Sequence, residues 1–217
     1  MKLKKKIIFL IPAKNEEKNI KNVLVKFRKY GKVIVVNDHS TDNTFNIAKQ
    51  FAHKILNLKY KSGYDATLKF GLKHIINNIS GNYVITVDAD GEHSHIFIAK
   101  LINKMKNKYL VIGNRSKYNR WSEYFCGFLS YFFFSIKDPL SGMKCYNLDY
   151  LKKNKKRVLE KLNPKIDQCG MFFFKIYNLK EVTNVNIKTN NSNKPSSVGS
   201  GLLINLKIIK FFFNAIF

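Results

Sequence analysis

Short apolar runs alternate with amphipathic segments along this sequence, and that alternation limits its fold more than any other feature. Each run is long enough for one buried strand, and the segment after it repeats its apolar residues at helical spacing. The runs are residues 7–11, 33–36, 83–87 and 109–112. Four strand and helix units in series predict an α/β fold with a mostly parallel central sheet and helices on both of its faces.

Two acids follow the third run, where the sequence continues Asp88-Ala89-Asp90-Gly91-Glu92. Ligands bind at the carboxyl ends of the strands in a parallel α/β sheet, so we expect Asp88 and Asp90 to lie at a binding site. Carboxylate oxygens are ligands for Mg²⁺ or Mn²⁺, and Glu92 supplies a third carboxylate. The alternative is a surface turn, because Asp and Gly are common turn residues.

Polar residues also follow the first two runs. In the stretch P-A-K-N-E-E at residues 12–17, Asn15 suits the cap of the next helix and Glu16 its first turn. The same loop is also placed to bind a nucleotide. Asp38 ends the second run ahead of the next helix cap, so we expect its carboxylate to be free for a base or a ribose. Lys61 stands near the start of a later helix, where it meets either a phosphate or solvent.

The charge of the chain is strongly positive. Lys+Arg 39 against Asp+Glu 14 gives a formal net charge of +25, which predicts an anionic partner. Nucleic acid, an anionic membrane surface and phosphorylated substrates all fit that charge. The basic residues are scattered along the whole length and form no recognised nucleic-acid-binding motif. We therefore favour phosphorylated substrates and a membrane surface over nucleic acid.

Length and composition predict one domain. A chain of 217 residues, of which 45% are hydrophobic, can bury a sizeable core, so we expect residues 1–217 to fold as a single unit. Its three cysteines are odd in number and widely spaced, which predicts reduced thiols in a cytosolic compartment. No segment reaches the roughly 20 apolar residues needed to cross a bilayer.

Two apolar segments allow more than one interpretation. Residues 121–134 form an aromatic block with almost no charge, which predicts either a core helix or a helix at a membrane interface. Residues 201–217 are apolar but contain two lysines, which predicts either an interfacial helix or a plain amphipathic closing helix. Between these segments we predict a helix over residues 167–179 and a mobile loop over residues 188–200, which are rich in Asn and Ser.

Five motifs, taken in order, resemble those of family 2 glycosyltransferases, and more narrowly those of the dolichol- and polyprenol-phosphate sugar synthases. The resemblance runs from about residue 7 to the end of the chain, and each motif stands at a strand end or a turn. The motifs are Pro12-Ala13-Lys14-Asn15-Glu16, residues 33–44, Asp88-Ala89-Asp90, Gly113-Asn114-Arg115 and Asp138-Pro139-Leu140-Ser141-Gly142-Met143.

The resemblance implies a GT-A fold with a Rossmann-like nucleotide-binding half, a nucleotide-sugar donor, Mg²⁺ or Mn²⁺, and inversion at the anomeric carbon. By position, Asp88 and Asp90 would hold the ribose and the metal, with Glu92 near the metal. Arg115 would face a phosphate, and Asp138 would lie beside the sugar or the acceptor. The residues implied for the nucleoside are Pro12, Ala13, Asn15, Glu16 and Asp38.

The implied acceptor is a polyprenyl phosphate or another cell-envelope glycan or lipid. A hydroxyl acceptor requires a carboxylate to take its proton, and Asp138 is the candidate base. A phosphate acceptor is already ionised, so Asp138 would then only position it. The chain would attach peripherally to the cytoplasmic face of the membrane, where its lysines meet anionic lipid.

Three positions depart from the family pattern. Asn37 replaces the first of the two acids that usually precede the base-binding position. Ser197 stands where the family has an arginine at the donor diphosphate, and Lys194, a possible substitute, cannot make the bidentate contact of arginine. The arginines that meet the acceptor phosphate in some synthases are not evident in residues 121–136. These departures leave an inactive relative open as an alternative.

Overall fold

The computed structural model describes residues 6–189 and 201–217, which include seven strands. The strands are β1 (Ile7–Ala13), β2 (Lys32–Asn37), β3 (Lys54–Asn57), β4 (Tyr83–Thr86), β5 (Leu110–Asn114), β6 (Lys144–Asn147) and β7 (Val182–Asn186). They form one sheet in the order β3-β2-β1-β4-β6-β5-β7. Strand β6 pairs antiparallel with β4 and β5, and the other pairs are parallel. The mostly parallel α/β sheet predicted from the alternation is confirmed.

Helices cover both faces of this sheet. They are α1 (Ile20–Phe27), α2 (Thr44–Phe51), α3 (Tyr64–Asn78), α4 (Ile98–Asn103), α5 (Trp121–Phe134), α6 (Leu148–Lys153), α7 (Lys155–Lys161) and α8 (Leu202–Ile216). The side chains of β1 alternate between two cores. Ile8 and Leu10 pack in the core that holds α3, α6 and α8, whereas Ile7, Phe9 and Ile11 pack with α1, α2 and α4. Because both faces of β1 are buried, its sequence is apolar throughout.

The helix predicted over residues 167–179 is wrong, because the segment forms the short 3-10 helix Phe172–Lys175 and the first residue of another, Leu179–Glu181, but no α-helix. The carboxylate of Asp65 in α3 accepts hydrogen bonds from the backbone N–H groups of Gln168 at 3.3 Å and Gly170 at 2.7 Å. Gly170 has a φ of 76°, in the left-handed region that favours glycine. Polar contacts with α3 thus hold this segment as a loop. Such contacts cannot be predicted from the spacing of apolar residues in the sequence.

Helix α5 turns its aromatic side outward. The residues it buries are small or polar, namely Ser122, Glu123, Cys126, Gly127 and Ser130. The side chains it exposes, by 40% to 73%, are Trp121, Tyr124, Phe125, Phe128, Tyr131, Phe132 and Phe133. A core helix would bury those rings, so that interpretation of residues 121–134 is wrong.

Helix α8 packs against α5 and extends its apolar surface. The buried side of α8 consists of Asn205, Ile208, Phe212 and Ala215. Its exposed apolar residues are Leu202, Leu203, Leu206 and Phe213, with Phe217 after the helix. We call these residues, together with the seven exposed aromatic residues of α5, the apolar platform. Within the described ranges, no helix is long and apolar enough to cross a membrane.

The predicted mobile loop, residues 188–200, falls almost entirely outside the described residues. Residues 190–200 are not described, and they include Lys194 and Ser197. The position of the family arginine therefore has no structural description, and the loop stays a prediction.

Candidate active site

Asp88 and Asp90 lie just beyond the carboxyl end of β4, as predicted from the end of that apolar run. The hydroxyl of Tyr64 donates a hydrogen bond to Asp88 Oδ1 at 3.0 Å. Asp90 Oδ1 accepts a hydrogen bond from the backbone N–H of Glu92 at 3.0 Å. The contact between Asp90 and Glu92 is typical of a turn. The motif therefore forms a turn, as one interpretation predicted, and this turn also presents two carboxylates, as the other predicted.

Burial and mutual repulsion make the two carboxylates hard to ionise together. Burial, followed by the negative charge of Asp88, raises the pKa of Asp90 to about 6. Burial also raises the pKa of Asp88, although the Tyr64 hydrogen bond and the charges of Lys144 and Arg115 oppose that shift. A divalent cation would relieve the repulsion, and carboxylate oxygens are suitable ligands for Mg²⁺ or Mn²⁺.

The donor set fits such an ion with part of its coordination left open. Among residues 6–189 and 201–217, no three His, Cys, Asp or Glu side chains converge into a ready-made metal site. Glu92 is half-buried and close enough for its charge to act on Asp90, but it does not complete a cluster of three. Mg²⁺ typically binds one or two carboxylates and takes its remaining ligands from water and substrate phosphates. The residues present therefore fit an ion that binds together with a nucleotide.

His93 belongs to this site, and it had no assigned role in the sequence-based hypothesis. Its Nδ1 accepts a hydrogen bond from the backbone N–H of Asp88 at 3.1 Å, which places the ring proton on Nε2. Burial lowers the pKa of His93 to about 4, although the charge of Asp90 opposes the shift, so the ring is neutral near pH 7. The ring thus fixes the backbone from which Asp88 projects.

The loops after β1 and β2 are tied to each other at the predicted nucleoside end. The backbone N–H of Asn15 donates to Ser40 Oγ at 3.1 Å, and Asn15 Oδ1 accepts from the N–H of Thr41 at 2.9 Å. The N–H of Glu16 donates to Thr44 Oγ1 at 2.7 Å. The capping role predicted for Asn15 and the first-turn position predicted for Glu16 are both wrong, because α1 begins only at Ile20 and has no acid in its first turn. Asn15 reaches across to the β2 loop instead.

Pro12 and Ala13 are buried at the end of β1, directly before that tied loop. Their backbone is therefore held by the sheet, with Ala13 in register with Asn37 of β2. The Nδ2 of Asn37 donates to Asn57 Oδ1 at 2.6 Å, so the residue that replaces the family acid pairs with a neighbouring amide.

Asp38 is not free, contrary to the sequence-based expectation. Its Oδ1 accepts from the backbone N–H of Ser62 at 2.6 Å, and its Oδ2 accepts from that of Gly63 at 3.0 Å. The carboxylate is buried and fixes the loop that leads into α3. Lys61 precedes these two residues with an exposed side chain, so Asp38 determines where Lys61 stands.

Arg115, just after β5, makes a two-point ion pair with Asp138, in the turn before β6. Arg115 Nε lies 2.8 Å from Asp138 Oδ2, and Arg115 Nη2 lies 3.0 Å from Oδ1. The backbone N–H of Arg115 also donates to Oδ2 at 3.1 Å. Burial opposes the charge of the guanidinium, but Asp138 and Glu123 hold the pKa of Arg115 above its ordinary value. The two catalytic candidates are thus brought together.

Lys144 is a buried cation of the site that the sequence motifs did not single out. Its Nζ donates to the carbonyl oxygen of Ser141 and lies 5.4 Å from the centre of the Phe173 ring. Burial lowers the pKa of Lys144 to about 8, while the charges of Asp138 and Asp88 oppose the shift. A lysine in a short strand ordinarily points to solvent, so only the packing reveals this position.

Gly142 allows the turn before β6 to approach the carboxylates. A Cβ at this position would overlap the side chain of Asp88, so a larger residue would displace it. The pKa of Asp88 therefore responds to the charge of Lys144 at the start of β6, to that of Arg115 just after β5, and to that of Glu16 in the loop after β1. Carboxylates that can hold a cation and cations that can meet phosphates share one edge of the sheet. Such a pairing can stabilise a diphosphate as it leaves a sugar.

Comparison with known proteins places this geometry in context. The model of the family described as Glycosyl transferase family 2 matches residues 8–178. The UDP-N-acetylglucosamine–dolichyl-phosphate N-acetylglucosaminyltransferase of Methanococcus voltae is 34% identical over 134 residues, covering 52% of this chain and 53% of that protein. A dolichyl-phosphate beta-glucosyltransferase of Trichomonas vaginalis is 28% identical over 133 residues, covering 51% of this chain and 39% of that protein. The chain thus matches about half the length of the first relative and less of the second.

Solved structures share the fold. Glucosyl-3-phosphoglycerate synthase from Mycobacterium tuberculosis, in complex with Mn²⁺, uridine diphosphate and glucosyl-3-phosphoglycerate, aligns with a TM-score of 0.69 at 18% identity. The alignment covers 99% of this chain and 81% of that chain. The likeness confirms the GT-A fold that the five motifs implied.

Proposed function

The chain belongs to glycosyl transferase family 2, and on that premise we propose that it moves a sugar from a nucleotide-sugar donor to a polyprenyl phosphate, with inversion at the anomeric carbon. Two relatives named for dolichyl-phosphate acceptors support this acceptor class.

At the donor end, Asp88 and Asp90 would hold Mg²⁺ or Mn²⁺, with Glu92 beside them. A bound ion of this kind neutralises the charge that develops on a leaving diphosphate. The loops after β1 and β2 would bind the nucleoside through Pro12, Ala13, Asn15 and Glu16. Asp38 would act there through the loop it fixes, with Lys61 presented toward the donor phosphates.

At the acceptor end, the contacts of Asp138 favour a phosphate over a hydroxyl nucleophile. A hydroxyl acceptor needs a base with an oxygen free to take its proton. Both oxygens of Asp138 accept hydrogen bonds from Arg115, and the Asp138 side chain is only 1% exposed. A phosphate monoester is already ionised and needs no base. Asp138 would therefore orient Arg115, and Arg115 would bind the acceptor phosphate.

The outward-facing aromatic side of α5 is the observation that carries this proposal. A polyprenyl chain remains in the bilayer while its phosphate reacts, so the enzyme must lie against the lipid surface with its acceptor site close by. The buried side of α5 contacts Arg115 through Glu123, and the opposite side belongs to the apolar platform. Aromatic side chains prefer the membrane interface.

Exposed lysines at both helices fit an anionic lipid surface. Lys117 and Lys137 flank α5, and Lys207 and Lys210 project from α8. Each basic residue near an anionic leaflet contributes about 1 kcal/mol to binding. We therefore propose peripheral attachment to the cytoplasmic face of a membrane through the apolar platform.

The test is transfer of labelled sugar from a panel of nucleotide sugars to an added polyprenyl phosphate, with Mn²⁺ or with chelator, followed by organic extraction. The proposal predicts metal-dependent label in the organic phase for one donor. Metal-dependent release of nucleoside diphosphate without extractable label would move the acceptor to a hydroxyl. Neither signal from any donor would instead favour an inactive relative.

A further inference from the structure

Glu123 is a second carboxylate on Arg115, and none of the five motifs includes it. Its Oε2 lies 3.5 Å from Arg115 Nη1. The same oxygen accepts from the backbone N–H of Asn119 at 3.2 Å, and Glu123 Oε1 lies 2.7 Å from Arg120 Nη1. Its side chain is 6% exposed. An acid in the first turn of a helix is favourable in solvent, but here the carboxylate is turned inward onto an active-site cation.

Such a contact has a specific requirement. A buried carboxylate is costly unless cations and hydrogen bonds surround it, and removing one partner of a buried pair leaves the other uncompensated. Glu123 meets that requirement with two guanidinium groups and one backbone N–H. Arg115 and Arg120 together balance the charges of Asp138 and Glu123. The four side chains form one neutral cluster at the start of α5.

The hydrogen-bond capacity of Arg115 shows what this cluster leaves available. A guanidinium has five N–H donors in one plane. One from Nε and one from Nη2 go to Asp138. Nη1 lies at an ion-pair distance of 3.5 Å from Glu123 Oε2, so we assign one of its N–H groups to that carboxylate. The Tyr118 ring lies 5.3 Å from the guanidinium carbon of Arg115 and covers one face of the group. One N–H on each terminal nitrogen remains, which is the number needed for a two-point contact with a phosphate.

We propose that Glu123 is a positioning residue that holds the Arg115 guanidinium so that its two remaining N–H donors face the acceptor phosphate. This inference rests on the proposed function for the identity of that phosphate. Asp138 alone holds one edge of the guanidinium and leaves Nη1 to rotate about its bond to the central carbon. Glu123 supplies a third point of attachment, at Nη1, beyond the edge of the guanidinium that Asp138 holds.

The position of Glu123 also joins the acceptor site to the membrane surface. Glu123 lies on the buried side of α5, directly behind the exposed aromatic rings. Asn205 Oδ1 of α8 accepts the N–H of Ser122 at 3.1 Å and so fixes the first turn of α5 on its other flank. The height of the platform on the bilayer therefore sets the height of Arg115. A phosphate at the lipid surface meets a guanidinium whose position is defined relative to that surface.

The first test observes Arg115 directly and does not depend on turnover. The measurement is NMR of the guanidinium N–H groups in protein with isotope-labelled arginine. The spectrum is simple, because the chain has only four arginines, Arg28, Arg115, Arg120 and Arg157. The signal that is lost in Arg115→Lys is assigned to Arg115. In wild-type protein we expect hindered rotation at Nη1. In Glu123→Gln and Glu123→Ala we expect the Nη1 protons of Arg115 to average while the Nε–H bound to Asp138 stays protected. Unchanged Nη1 signals in both variants would overturn the proposal.

The second test separates positioning from simple structural support. We expect Glu123→Gln to raise KM for polyprenyl phosphate about tenfold, the effect of losing one charge-assisted contact. KM for the nucleotide sugar, the metal requirement and retention on anionic vesicles should stay within twofold. Glu160→Gln makes the same change at an exposed site on α7 and should alter none of these values. A parallel loss of thermal stability, donor binding and acceptor binding in Glu123→Gln would mean that Glu123 only supports the fold.

The two tests also distinguish failure of this inference from failure of the proposed function. If wild-type protein transfers no sugar to polyprenyl phosphate, the proposed acceptor is wrong. The Arg115 signals then decide the positioning role alone, because they require no acceptor. Release of Nη1 in both Glu123 variants supports that role, and its absence contradicts it.

Discussion

The hydroxyl of Tyr64 donates a hydrogen bond to Asp88 Oδ1 at 3.0 Å, which joins the start of α3 to the first acid of the Asp-Ala-Asp motif. The contact leaves the second oxygen of Asp88 to other partners and fixes the rotation of the carboxylate. It also stabilises the ionised form of Asp88 against burial, which raises the pKa of that carboxyl. A fixed, ionised carboxylate is the form that binds a cation.

Removing the Tyr64 hydroxyl should therefore weaken the affinity of the site for its metal ion. We expect Tyr64→Phe to raise the Mn²⁺ concentration for half-maximal activity by about ten- to a hundredfold, because a hydrogen bond to a charged group contributes roughly 1.5–3 kcal/mol. A Mn²⁺ titration of nucleoside diphosphate release measures this value. Tyr60→Phe, at a residue that is 78% exposed, is the matched control. An unchanged Mn²⁺ requirement in Tyr64→Phe would contradict the role given to this hydrogen bond.

Metal-dependent activity should fall as the pH drops through about 6. Burial and the charge of Asp88 raise the pKa of Asp90 to about 6, so below that pH Asp90 carries a proton that a cation must displace. The apparent affinity for Mn²⁺ should therefore be highest above pH 6 and weaken as the pH falls. Asp90→Ala should abolish transfer at every pH. Turnover at the wild-type level in this variant would remove Asp90 from the metal site.

The apolar platform should control attachment to lipid without supporting the fold. Phe128 and Phe132 of α5 are 67% and 73% exposed, so their replacement by Ser removes little buried surface. Burying one such ring in lipid contributes about 1.5–3 kcal/mol, so each substitution should lower retention on anionic vesicles at least tenfold. Sedimentation at physiological salt measures the effect. Ile96→Ser, at a residue 66% exposed and outside the platform, should change nothing.

Two results would contradict the proposed role of the apolar platform in membrane attachment. The first is wild-type protein that stays entirely in the supernatant with anionic vesicles. The second is equal loss of retention in the Ile96 and Phe128 variants, which would indicate a general effect of surface hydrophobicity. Melting temperatures within a few degrees of wild type are required in all variants for the comparison to hold.

The buried ion pair between Asp65 and Lys69 should stabilise the loop around Ile166, which borders the site. Lys69 Nζ lies 2.5 Å from Asp65 Oδ2 and also donates to the carbonyl oxygen of Ile166 at 2.6 Å. Asp65→Asn leaves a buried ammonium with a weakened partner, and we expect it to lower the free energy of unfolding by about 3 kcal/mol. Urea denaturation measures the change. A neutral effect of Asp65→Asn would refute the pairing.

The sequence predicts the parts of this protein that depend on local pattern. Strands β1, β2 and β4 are buried on both faces, so they appear as uninterrupted apolar runs, and the site lies where those runs end. Asp88, Asp90 and Arg115 could therefore be placed from order and spacing alone. The resemblance of the sequence motifs to a known family predicted a role for Asp138 as well, and in the structure Asp138 forms an ion pair with Arg115.

The rest depends on contacts between distant segments. Asp38 is satisfied by backbone N–H groups of Ser62 and Gly63, more than twenty residues later, and nothing in the local sequence indicates that pairing. The spacing of residues along α5 predicts two different sides of the helix, but it does not predict which side packs against the protein. In the structure Glu123 lies on the buried side of α5, at ion-pair distance from Arg115, and the aromatic rings lie on the exposed side. Apolar periodicity assumes the opposite arrangement.

The most direct test of the account compares two acceptors that differ only by a phosphate. Sugar transfer would be measured in anionic vesicles that contain either a polyprenyl phosphate or the matching polyprenol, with the donor identified from the panel and with Mn²⁺ present. Transfer to the polyprenyl phosphate alone is the predicted result, because Asp138 is engaged with Arg115 and offers no free base. Transfer to the polyprenol at a comparable rate would contradict it.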